Sequence, residues 1–99
     1  MTITKSKDND KVTVSLEGRL DTTTAPQLQD ELVNVFNDAK SVVLDFSQLI
    51  YVSSAGLRVL LIGMKTAKAS NAEFTLTNVS EEIMEVLEMT GFTDMLTIV

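Results

Sequence analysis

The chain of 99 residues has no cysteine, no histidine and no tryptophan. Without cysteine it can hold neither a disulfide framework nor a thiolate metal site. Without histidine it lacks the usual general base, the commonest metal ligand and the centre of any Ser-His-Asp arrangement. Basic residues are few, 8 against 14 acidic ones, and the net charge of −6 argues against nucleic acid and against anionic membrane surfaces. No apolar run approaches the roughly 18 residues that a membrane span needs, and no basic-then-apolar leader opens the chain. A cytoplasmic location is therefore expected. Walker lysine, glycine-rich phosphate cradle and EF-hand loop are all missing, so no cofactor and no metal ion is expected.

What is present favours order. A hydrophobic share of 44% with 22% charged residues calls for a packed fold rather than a disordered chain. The length suits one domain over residues 1–99, with a core that has little to spare.

Thr2 to Lys7 alternates weakly and reads as an edge strand, followed by a turn at Asp8-Asn9-Asp10. Val12, Val14 and Leu16 then alternate with Thr13, Ser15 and Glu17, a strand with one wet face that Gly18 is expected to end. Arg19-Leu20-Asp21-Thr22-Thr23 reads as loop. A first helix starts near Thr24, which with Gln27 fits a capping box, and Leu28, Leu32, Val35 and Phe36 follow at helical spacing. Val42 to Phe46 is the next strand, with Asp45 facing away from Val42, Leu44 and Phe46.

A second helix is predicted from about Ser54 to Ala69, with Leu57, Leu60, Leu61, Met64 and the stem of Lys68 on its inner face. Glu73 to Thr77 alternates as a strand. Ser80 caps a third helix, Glu81 and Glu82 suit its dipole, and Ile83, Val86, Leu87 and Thr90 face inward. Gly91 stops it, and a turn with a last strand completes the chain.

Helical crossovers between strands imply parallel neighbours. A sheet covered on both faces would have continuously apolar strands, and these alternate. The helices should therefore lie mainly on one face of a sheet wound steadily in one direction. The loops that follow the parallel strands then share one rim, bringing together Asp21, Thr22 and Thr23, then Ser53 and Ser54, then Asn78 and Ser80.

An enzyme is not expected from these residues. Ser54 sits on a strand-to-helix turn as in a nucleophile elbow, yet Val52 stands where that motif needs its first glycine. No histidine is present to activate the hydroxyl. The carboxylates read as turn and dipole residues on a solvated surface. Ser53-Ser54 has two readings: a helix cap, or an exposed acceptor of phosphate where the backbone N–H groups and the positive dipole end gather. One hydroxyl suffices for a cap, and here there are two. At 100° per residue, Val59 and Ile62 fall opposite the inner face of this helix, flanked by Arg58. That makes them a candidate docking strip below the rim serine, unless neighbouring helices bury them.

The run Leu44-Asp45-Phe46-Ser47, then Ile50-Tyr51-Val52-Ser53-Ser54-Ala55-Gly56-Leu57-Arg58-Val59-Leu60, resembles the anti-sigma factor antagonists of the STAS domain family. Gly18-Arg19-Leu20-Asp21, Thr24-Ala25 and Met89-Thr90-Gly91-Phe92 support the resemblance, which covers the whole chain in order. It implies an α/β STAS fold: a mostly parallel sheet of four or five strands with an antiparallel edge strand at the N-terminus. It also implies a partner switch. Unphosphorylated, such a protein binds an anti-sigma factor that is also a serine kinase; phosphorylation releases it, and a serine phosphatase resets it. By position the modified serine is Ser54, and Asp21 matches the rim aspartate of the preceding loop. Ser53 stands where the family usually has aspartate. The partner-binding set expected is Asp21, Thr22, Thr23, Ser53, Ser54, Arg58, Val59 and Ile62. A second reading is a STAS subunit held constitutively in a transporter or signalling assembly, with Ser54 as a cap.

Overall fold

Val12, Val14 and Leu16 alternate with polar neighbours, so the strand they form must cover one face and can leave the other wet. In the computed structural model, which describes residues 1–99, that strand is β2 (Lys11–Leu20). It pairs antiparallel with β1 (Thr2–Asp8) through a turn at Asn9, whose φ of 56° is a left-handed conformation that asparagine tolerates. β3 (Ser41–Val52), β4 (Glu73–Thr77) and β5 (Thr97–Ile98) follow in parallel, giving the order β1-β2-β3-β4-β5. Each strand lies beside the one before it, as the alternation predicts.

The connecting helices are α1 (Ala25–Val35), α2 (Ser54–Ala69) and α3 (Glu81–Met89). Register places Val12, Val42 and Phe74 side by side, and likewise Val14, Leu44 and Leu76; all six are buried. Behind them Thr13, Val43 and Thr75, then Ser15, Asp45 and Thr77, form an opposite face that is only half-buried. Leu28 and Leu32 of α1, Leu57 and Leu60 of α2, and Ile83 and Leu87 of α3 all join the strand residues in one core. One face of the sheet therefore carries the helices.

Two strands run further than expected. β2 passes through Gly18, which takes a φ of 108°, and ends at Leu20. β3 does not stop at Phe46 but continues to Val52. From the Ser15–Asp45 pair to the Leu20–Val52 pair, β2 advances five residues and β3 seven, through two register shifts. The extra residues bulge, and the inward positions of β3 become Phe46, Leu49 and Val52, three apart rather than two. A period of two cannot reveal such a strand.

Two smaller differences concern helix faces. Thr90, expected inward, is exposed at the end of α3 and its hydroxyl donates to the Val86 carbonyl at 2.8 Å. Lys68, whose stem was expected along the core, is exposed.

Candidate functional site

The carboxyl ends of β2 and β3 are adjacent, and the Ser53 N–H donates to the Leu20 carbonyl at 2.9 Å. That bond ties the turn before α1 to the turn before α2. In the first turn Asp21 is the organiser. Its Oδ1 accepts from the N–H of Thr23 at 3.0 Å and of Thr24 at 3.2 Å, while its own N–H donates to Thr24 Oγ1 at 2.9 Å. Thr24 Oγ1 donates in turn to the Arg19 carbonyl at 2.8 Å. The expected capping box at Thr24 and Gln27 does not form: the Thr24 hydroxyl braces the turn instead of capping α1. The Asp21 carboxyl is held below the usual carboxylate range, first by the Thr24 N–H and against an opposing effect of desolvation. The Thr23 N–H, the Thr24 hydroxyl and the Arg19 guanidinium, 3.8 Å away, act in the same direction as the Thr24 N–H.

At the start of α2 the two serines divide the work. Ser53 is the N-cap, with extended backbone (φ −95°, ψ 176°), and its Oγ accepts from the Gly56 N–H at 3.4 Å. Ser54 is the first helical residue; it is exposed and its hydroxyl makes no hydrogen bond to another residue of the chain. Ser53→Ala is expected to lower the free energy of unfolding by roughly 0.5–1 kcal/mol through loss of the cap. Ser54→Ala should stay within about 0.5 kcal/mol of wild type. Urea unfolding of the two variants side by side checks both.

The first turn of α2 carries no acidic residue, whereas α3 opens with Glu81 and Glu82. Between the starts of α1 and α2 runs an open groove of about 340 Å³, lined by Thr22, Ala25, Pro26, Gln29, Ser54, Ala55, Arg58 and Val59. None of these is a carboxylate.

Of the residues expected to meet a partner, Thr22, Thr23, Ser54 and Arg58 are exposed at this rim. Asp21 is half-buried with its carboxylate turned to its own loop, and Ser53 is half-buried as the cap. Val59 does not belong to an exposed strip: it is 2% exposed, part of the core, and borders the groove alongside Ala25, Pro26 and Gln29 of α1. α2 packs against α1 as well as against the sheet, and Val59 is buried on that flank. Ile62 is half-buried.

Apolar atoms reach solvent elsewhere on the rim. Ile50 is 68% exposed and Tyr51 40%, and the Arg19 guanidinium lies 4.2 Å from the centre of the Tyr51 ring. The spacing Phe46, Leu49, Val52 was the available signal for these two outward side chains. Asp45, on the open sheet face, accepts from Asn78 Nδ2 at 3.0 Å and from the Ser47 N–H at 2.9 Å. Those bonds, Asn78 first, hold its carboxyl below the usual range, and they brace the first bulge of β3. No three carboxylates gather where they could hold a metal ion.

The family model described as "Mlab, STAS domain" matches residues 3–98. The chain belongs to the STAS domain family. BtrV of Bordetella bronchiseptica, provisionally named an anti-sigma factor antagonist, is 36% identical over 93 residues, which covers 93% of this STAS chain and 80% of BtrV. The anti-sigma-B factor antagonist of Bacillus subtilis is 28% identical over 94 residues, covering 95% of this chain and 85% of the relative. Among solved structures, the anti-sigma factor antagonist SpoIIAA in its unphosphorylated form gives a TM-score of 0.79 at 17% identity, covering 99% of this chain and 87% of SpoIIAA. The phosphorylated form of SpoIIAA from Bacillus gives 0.78 at 18% identity, covering 99% and 91%. Identities this low speak to the fold alone. The sheet of five strands with its antiparallel edge is thus the STAS fold, and the sequence relatives put the chain among the anti-sigma factor antagonists.

Proposed function

We propose that this STAS chain is an anti-sigma factor antagonist whose partner is chosen by phosphorylation of Ser54. Unmodified, it binds an anti-sigma factor that is also a serine kinase and so frees a sigma factor. The observation that carries this reading is the Ser54 hydroxyl, exposed and unbonded at the first position of α2 while Ser53 supplies the cap. In the transfer, Ser54 Oγ forms a bond to the γ-phosphorus of ATP as the bond to ADP breaks, and the hydroxyl proton passes to a base of the kinase. A serine phosphatase reverses the state by hydrolysis, water restoring the hydroxyl and inorganic phosphate leaving. SpoIIAA, which shares this fold, is known in both unphosphorylated and phosphorylated forms.

Physical chemistry says where the effect falls. A phosphoryl group adds about −1.5 to −2 charges at neutral pH. At a helix N-terminus without acidic neighbours that charge is locally favourable, so the fold should persist. The loss therefore falls on the complex, where a hydrated dianion would stand beside Thr22 and Arg58, exposed residues that line the same groove as Ser54. A tenfold loss of affinity takes only about 1.4 kcal/mol.

Incubation with ATP and a candidate anti-sigma serine kinase, followed by intact mass, tests the assignment. Wild type and Ser53→Ala should each gain one phosphoryl group and Ser54→Ala none. No gain on wild type, or a gain that persists in Ser54→Ala, contradicts it. Ser54→Asp is expected to fold with an unfolding midpoint close to that of wild type, yet to bind the kinase at least tenfold more weakly. Calorimetric titration and a thermal melt check the pair of outcomes.

A further inference from the structure

We propose that Arg58 is the intramolecular partner of the phosphoryl group on Ser54, holding it over the groove between α1 and α2. This rests on the reading that Ser54 is modified, and it says how the modified state is built. Ser54 and Arg58 are four residues apart on one helix, so they face the same way one turn from each other, with the anion on the N-terminal side where such pairs are most favourable. Both are exposed and both line the same groove. Arg58 is free for the role: the chain's two ion pairs are Lys5 with Glu31 and Arg19 with Asp21.

No other charged group at this rim competes for it. Arg19 is taken up by the Tyr51 ring and by Asp21. The Asp21 carboxylate is turned to the N–H groups of its own loop, and α1 lends the groove only Ala25, Pro26 and Gln29. The guanidinium carries a permanent positive charge, and charge-assisted bonds to phosphoryl oxygens are strong. Modification then changes the docking surface twice. It adds a dianion, and it withdraws the exposed cation of Arg58 from whatever the unmodified rim was offering.

The test installs phosphoserine at position 54 during translation, through a reassigned codon, so that no kinase is involved. The second ionisation of the phosphate is followed by ³¹P NMR in the Arg58, Arg58→Gln and Arg58→Lys backgrounds. With arginine the ionisation should fall about half a pH unit below its position with glutamine, and lysine should retain most of that depression. Equal values with arginine and glutamine overturn the proposal. So does lysine behaving like glutamine, because the effect would then not follow the charge. Since the phosphate is placed without a kinase, this result and the assignment of Ser54 as the kinase's target can fail independently.

Discussion

Leu60→Ala is expected to lower the free energy of unfolding by about 2–5 kcal/mol. Leu60 is fully buried on the inner side of α2, in the same core as Leu16, Leu20, Leu28 and Leu44, which are themselves sealed from solvent. The sheet lies on one side of α2 and α1 on another, so the walls of the cavity left by the leucine cannot close in from either. Domains of this size are stable by only about 5–15 kcal/mol, so the loss removes a large part of the total. Ile62→Ala, on the half-buried side of the same helix, should cost distinctly less. Urea unfolding with an unchanged m-value would make the comparison clean. A loss below about 1 kcal/mol for Leu60→Ala would mean that α2 is not packed as described.

Gly56→Ala is the second large effect, and its sign is the informative part. Within a helix the exchange of glycine for alanine ordinarily stabilises, by up to about 1 kcal/mol. Here an added Cβ would stand 2.7 Å from Leu20 Cγ and 3.1 Å from the Leu20 carbonyl oxygen. Leu20 is fully buried, and that carbonyl accepts the Ser53 N–H, so neither atom can yield cheaply. The variant is expected to lose about 1–3 kcal/mol by overpacking. Because the strain falls on the bond that ties the two rim turns together, the start of α2 and its serines should shift with it. Shortening the obstacle tests the cause: Leu20→Ala and Gly56→Ala combined should be less destabilised than the sum of the two alone. Wild-type stability in Gly56→Ala would show that α2 does not approach β2 so closely. Gly63→Ala meets the Phe74 ring at 2.9 Å and Leu32 at 3.1 Å, a comparison within the same helix.

Where one physical signal governed a segment, the sequence was readable. The alternation of Val12, Val14 and Leu16, and of Val42, Leu44 and Phe46, announced a sheet with one wet face and therefore a single winding direction. Ser80, Glu81 and Glu82 announced the start of α3, and the Ser80 Oγ does accept the Ile83 N–H at 3.2 Å. Reading failed where two signals competed. Bulges replaced the period of two in the second half of β3 and so hid Ile50 and Tyr51. Helical periodicity gives the inner face of α2 but not how many neighbours the helix has, and α1 covers Val59. Thr24 looked like a cap because its spacing to Gln27 fits, yet the Asp21 carboxylate reaches the Thr23 and Thr24 N–H groups first. The serine doublet was ambiguous for a similar reason, since either hydroxyl could cap; backbone geometry assigns the cap to Ser53.

The measurement that bears most directly on the proposed switch is the affinity of the chain for a candidate anti-sigma kinase before and after complete phosphorylation of Ser54, with a thermal melt of both forms. A fall of at least tenfold, about 1.4 kcal/mol, with the unfolding midpoint little changed is the predicted result. Equal affinity for the two forms, or a modified chain that no longer folds, would contradict it.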